Sequence, residues 1–112
     1  MSNIKKNNAA LKCNIEVGMF SSERVFTLPL ANGETYKSMA SYVHFWNEER
    51  NRLTRAEPPP GKEIGAIVAA RLIQKKGNLL VVEIPDGEVV EVKTETAVKR
   101  PQKVDTNVPV GS

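Results

Sequence analysis

Apolar and polar residues along this chain alternate mostly in pairs, the spacing of strands and not of helices. Cys13, Ile15 and Val17 alternate with Asn14 and Glu16, which predicts a strand with one buried face. Gly18 permits a bend, and Ser21-Ser22-Glu23-Arg24 breaks the pattern and reads as a turn. Val25 to Leu30 resumes it with Phe26, Leu28 and Leu30 on one side, although Pro29 cannot donate to a ladder and points to an edge or a distortion. Asn32-Gly33 supplies the positive backbone dihedrals of a tight hairpin, so Thr35 to Met39 is the expected partner strand.

The later half repeats this order. Ile67 to Ile73 is apolar apart from Arg71, and a Lys75-Lys76-Gly77-Asn78 turn leads into Leu79 to Ile84. Pro85-Asp86-Gly87 is a second turn with explicit chemistry. Val90 and Val92 then alternate with Glu91 and Lys93, and Ala97-Val98-Lys99 is a short last strand. Val25–Glu34 lies over Leu79–Glu88 without a gap, 54 positions apart. Identity across the two halves is confined to Gly33/Gly87 and Glu34/Glu88, so the likeness is one of pattern.

Between the halves the pattern is mixed. Met39, Tyr42, Val43, Trp46 and Leu53 fall at helical offsets, and Glu48 and Arg52 would pair four apart on a helix. The repeat instead lays Tyr42-Val43-His44 over the closing strand of the later half. The combined expectation is a short strand near Val43 to Phe45, then helical turns from Asn47 to Arg55. Pro58-Pro59-Pro60-Gly61 ends any helix and reads as an extended, semi-rigid spacer.

The expected fold is therefore mainly β: two small tandem β-barrel units joined by a short helical and Pro-rich linker. The divisions are a flexible N-terminal segment 1–12, a first unit 13–46, a linker 47–63, a second unit 64–100 and a flexible tail 101–112. Units this short sit near the size below which a core is hard to sustain alone, so mutual support is expected. The order of strands and turns, above all Gly77 to Pro101, resembles the small barrels of the Src-homology-3-like and Tudor-like group. The chain lacks the acidic-aromatic peptide-binding motif of the signalling members and an aromatic cage in the second unit. The resemblance therefore implies a fold and no ligand.

Composition narrows the classes of function. No apolar run approaches the roughly 20 residues of a membrane span, no secretory signal is evident, and Cys13 is the one cysteine, which points to the cytoplasm. The net charge of +3 lies in the tails: residues 1–12 hold three lysines and no acid, and residues 99–112 hold three bases against Asp105. Phosphate tracking needs cations clustered on one face, so neither unit reads as a nucleic-acid groove unless folding gathers a patch.

Catalytic and metal chemistry find little support. His44 is the one histidine, Cys13 reads as a buried thiol without a base, and adjacent Glu48 and Glu49 would face different ways on a helix. Neither Gly33 nor Gly61 belongs to a phosphate-cradling loop. No catalytic, cofactor or metal residues, no cofactor and no small-molecule substrate are expected, and the chain reads as no enzyme.

One asymmetry remains. All six aromatics, Phe20, Phe26, Tyr36, Tyr42, Phe45 and Trp46, precede the linker. Tyr42, Phe45 and Trp46 cluster beside Arg50, Arg52 and Arg55, a composition typical of interface cores. They serve either the packing of the units or a partner. On the second reading the contact set is Tyr36, Tyr42, Phe45, Trp46, Arg50 and Arg52, and the partner is another protein or a second copy of the chain. The alternative function is a nucleic-acid accessory protein, with exposed aromatics stacking on bases and basic tails holding phosphates.

Overall fold

Residues 8–101 are described in the structure, a computed structural model. Residues 1–7 and 102–112 of the two expected flexible segments lie outside the described residues. The chain is mainly β. Its strands are β1 (Asn8–Val17), β2 (Glu23–Pro29), β3 (Thr35–Ser41), β4 (Phe45–Asn47), β5 (Ile64–Lys76), β6 (Leu79–Glu83), β7 (Val89–Lys93) and β8 (Ala97–Val98), with 3-10 turns at Tyr42–His44 and Thr94–Thr96.

All eight strands share one antiparallel sheet in the order β3-β2-β1-β5-β6-β7, and off this path β4 pairs with β5 and β8 with β1. The centre is the β1–β5 ladder, from Asn8↔Arg71 to Ile15↔Ile64. Its middle is formed by Ala9-Ala10-Leu11 and Ala66-Ile67-Val68-Ala69-Ala70, with no polar residue in either run. Such runs suit strands covered on both faces. β1 therefore begins at Asn8, inside the stretch expected to be flexible: alanines that look like a featureless lead-in are small enough to pack at the centre of a sheet.

The closing strands cross over. β4 follows β3 in the chain but pairs with β5 (Phe45↔Val68), and β8 follows β7 but pairs with β1 (Leu11↔Ala97). Two five-strand paths result, β3-β2-β1-β5-β4 and β7-β6-β5-β1-β8, and both contain the central ladder. The outer ends approach one another as the sheet curls. The Ala31 N–H beside the first hairpin turn donates to the Glu91 carbonyl of β7 at 2.9 Å. The Tyr36 hydroxyl donates to Asp86 Oδ2 in the second turn at 2.6 Å.

The curl encloses a single main core of Leu11, Cys13, Ile15, Phe26, Leu28, Phe45, Leu53, Val68, Val82, Ile84 and Val92, among others. Phe26 packs against Phe45 with ring centroids 5.7 Å apart. A smaller cluster, Ala10, Trp46 and Ile67 with Ala69 and Val98 against it, lies on the opposite face.

The two hairpin turns are built alike. Leu30 N–H donates to Glu34 O at 2.8 Å and Gly33 N–H to Leu30 O at 3.1 Å; Ile84 and Glu88, and Gly87 and Ile84, repeat this at 3.0 and 2.8 Å. Only the glycines take positive φ, 90° at Gly33 and 92° at Gly87. Asn32 and Asp86 serve through their side chains, each accepting the N–H two residues on. The turn is thus one residue longer than the expected tight form, with glycine alone in the left-handed region.

The helical turns expected from Asn47 to Arg55 are absent. Tyr42–His44 is the 3-10 turn, and the strand falls at Phe45–Asn47, after which the chain doubles back. Asn47 and Asn51 close the reversal: Asn47 N–H donates to Asn51 O at 2.9 Å, and Asn47 Oδ1 accepts from Asn51 N at 3.0 Å. Arg50 at φ 70° makes the bend. Arg52 bridges back to Trp46, and Leu53 N–H reaches Phe45 O at 3.2 Å, which returns Leu53 to the core. Asn at both bases of the reversal competes with helix through its own side chain. The spacing of Trp46 and Leu53 suits a helix only by coincidence.

The proline stretch is not a free spacer. Pro58 is fully buried, and the loop before it is clasped by Arg24. The Arg24 guanidinium, with no exposed surface, donates to the carbonyls of Ser21, Glu23, Thr54, Arg55 and Glu57 at 2.7–3.3 Å. Glu57 completes the loop by accepting from Thr54 N at 3.1 Å and Asn47 Nδ2 at 3.2 Å.

Candidate functional site

Neighbours along a strand point to opposite faces, and this divides the aromatic cluster. Phe45 turns into the main core with no exposed surface, so it touches no partner. Trp46 turns to the other face and is 4% exposed, buried beside Ala10 and Ile67. Tyr36 is half-buried on the core side, its ring near Phe26 and its hydroxyl on Asp86. Tyr42 is half-buried with the Arg24 and Arg55 guanidiniums 5.7 and 5.4 Å from its ring centroid. The six expected contact residues are therefore not one surface.

Trp46 and Arg52 do come together, and the end of β8 joins them. The Arg52 guanidinium lies 4.7 Å from the Trp46 ring centroid and donates to Val43 O at 2.9 Å. Arg100, which follows β8, lies 5.5 Å from the same ring. Arg50 donates to the Lys99 carbonyl, tying the reversal to the end of β8. Burial, and then the like charge of Arg52, push the Arg100 pKa down. Among the described residues the ion pairs are Arg71–Glu83 and Lys76–Glu91, neither of which involves these four cations.

Two guanidiniums against one indole gain the attraction of a cation for a ring face and repel each other. Neither is neutralised by an ion pair among the described residues. The planar fork of an Arg side chain matches the geometry of a carboxylate. Lys99 and Arg100 fall at the end of the second unit as read from the sequence, Lys99 in its short last strand. Only the crossover of β8 onto β1 brings Arg100 to Trp46, and no local signal marks it.

Arg24 was legible in part. Phe26 and Leu28 face inward, and the same alternation carried back two positions puts Arg24 inward as well. Cys13 is buried in the core, and burial pushes its thiol up to about 12, so it stays protonated. His44 sits half-buried in the 3-10 turn. Among the described residues no group of three or more His, Cys, Asp or Glu side chains is placed to hold a metal ion. No helix among them is long and apolar enough to cross a membrane.

No protein-family model matches the chain, and no curated protein or solved structure matches it.

Proposed function

We propose that this chain is a non-enzymatic binding module that recognises an acidic segment of a protein partner in the cytoplasm. Each five-strand path is read as one small barrel of the Src-homology-3-like and Tudor-like kind, the two sharing the β1–β5 ladder. The observation that carries the binding reading is the pair of guanidiniums of Arg52 and Arg100 against Trp46, with Arg50 tied to the neighbouring Lys99 carbonyl, and none of the three arginines in an ion pair among the described residues. A carboxylate arriving there relieves the repulsion between Arg52 and Arg100 and gains charge-assisted hydrogen bonds.

The same cations suit phosphate, which keeps the nucleic-acid reading as the second. It is the weaker one because base stacking needs open rings. Phe45 has none of its surface exposed and Trp46 has 4%, whereas Phe20, 61% exposed in the β1–β2 turn, has no cation over its ring among the described residues.

The test is affinity capture from native lysate with the wild-type chain and with Arg52→Glu/Arg100→Glu, each with and without nuclease. A protein retained after nuclease and lost on charge reversal is the expected result. Loss on nuclease treatment favours the second reading, and capture indifferent to the charge reversal overturns both.

A further inference from the structure

On the same outer face as Trp46 a cleft of about 500 Å3 opens between Val98, Ile67, Pro29, Gly65, Lys12 and Glu48. Strand pairing explains its position. About the Leu11–Val68 pair, Trp46 opposite Ile67 corresponds to Val98 opposite Ala10. Two residues further along the chain, Glu48 corresponds to Arg100. On one side, then, the position holds an indole flanked by Arg52 and Arg100. On the other it holds a valine, and the carboxylate of Glu48 lies beyond it. The corresponding space in the other half, bordered by Asn8, Ala69 and Arg100, is smaller at about 340 Å3.

The end of the Glu48 side chain lies over Gly65 of β5, in the space that a Cβ there would enter. Neither Glu48 nor Lys12 forms an ion pair among the described residues. An indole is a large apolar ring with one N–H that donates only, and its face attracts cations. The cleft offers each complement: apolar walls in Val98, Ile67 and Pro29, an acceptor in Glu48 and a cation in Lys12.

We propose that this cleft binds a tryptophan side chain presented by a protein partner, in the place where the opposite half of the sheet carries its own Trp46. The proposal rests on the cleft and not on the cation cluster, so either fails without the other. The ring uses both Glu48 and Lys12, which leaves no ionic partner for the ammonium and carboxylate of the free amino acid. A tryptophan within a peptide is therefore the occupant.

The full chain is titrated with N-acetyl-tryptophanamide and followed by its amide resonances. Saturable shifts at Asn14, Gly65, Ala66 and Val98 are expected, with half-saturation on the order of 1 mM for so small a probe. Nuclear Overhauser contacts from the indole to the Val98 methyls should accompany them. N-acetyl-leucinamide should bind at least about fivefold more weakly, Glu48→Ala should weaken the indole several-fold, and Val98→Trp should abolish binding by filling the cleft. The proposal is overturned by no saturation up to on the order of 10 mM, by contacts elsewhere, by free tryptophan binding more tightly than the amide, or by a folded Val98→Trp that binds unchanged. If Val98→Trp does not fold, the contacts to the Val98 methyls in the wild-type chain decide the matter.

Discussion

Leu11 and Val68 face each other across the central ladder, and each borders the closing strand that belongs, in chain order, to the other half: Leu11 pairs with Ala97, and Val68 with Phe45. Neither half contains its own last partner. A chain divided between Pro60 and Gly61 therefore leaves β4 without β5 in one fragment and β8 without β1 in the other. Each fragment alone is expected to give a collapsed amide spectrum, and the equimolar mixture a dispersed one. A dispersed spectrum from residues 61–112 alone would contradict this. In the intact chain Leu11→Ala should cost about 3 kcal/mol in urea unfolding, as for other fully buried leucines.

Arg24 is a second joint. Its guanidinium satisfies five backbone carbonyls, of Ser21 and Glu23 at the start of β2 and of Thr54, Arg55 and Glu57 in the loop after β4, and no carboxylate. Burial is the leading cause of its lowered pKa, and the fork geometry rather than charge pairing is what the loops need. Lysine keeps the charge but offers no planar fork. Arg24→Lys should lose about 3 kcal/mol in urea unfolding, because several buried carbonyls are left without donors. Protease cleavage near Pro59 and Pro60 should rise with it. A variant as stable as the wild type would show that water replaces the guanidinium at no cost.

What was legible in the sequence was short-range. The alternation of Val25 to Leu30 and of Leu79 to Ile84, and the Gly33 and Gly87 turns, all lie where the pattern puts them. Pairing between distant strands left no such trace. The Ala9-Ala10 and Ala69-Ala70 pairs carry almost no periodic signal, yet they face each other at the centre of the sheet. For the candidate site, Trp46, Arg50 and Arg52 were visible as a local cluster. Arg100 was not, because its place depends on a crossover between strands 86 residues apart in the chain, Leu11 and Ala97. Asn47 and Asn51 were the available warning against a helix, since asparagine side chains bond locally to backbone.

Phe45 and Arg52 separate packing from binding. Phe45 fills the core against Phe26, so Phe45→Ala should cost about 4 kcal/mol and lower any binding only through unfolding. Arg52 is exposed over Trp46, and Arg52→Ala should cost under about 1 kcal/mol. Its effect should appear as weaker capture of an acidic partner, with less dependence on salt. Denaturant midpoints measured beside capture distinguish the two. An Arg52→Ala chain as unstable as Phe45→Ala would mean that the guanidinium is a packing element and the cation cluster no ligand site.

The contact between Tyr36 and Asp86 gives the curl a dependence on pH at both ends of the scale. Partial burial opposes ionisation of Asp86, but the hydrogen bonds from Tyr36 and from the Glu88 backbone N–H outweigh it, and its pKa lies below the ordinary value. Tyr36 is shifted the other way, chiefly because its proton is held by Asp86. A carboxylate lowered in the fold adds stability that is present above its unfolded value, near pH 3.9, and is lost as pH falls through the folded one. A phenol raised in the fold adds stability present below its unfolded value, about pH 10, and lost as pH rises through the folded one. Thermal unfolding across pH should therefore show the wild type losing an increment at each extreme. Asp86→Asn should remove the acid-side loss and shrink the alkaline one, since the amide still accepts the Tyr36 proton without its charge. Parallel profiles for the two chains would mean that the hydroxyl and the carboxylate are close without being coupled.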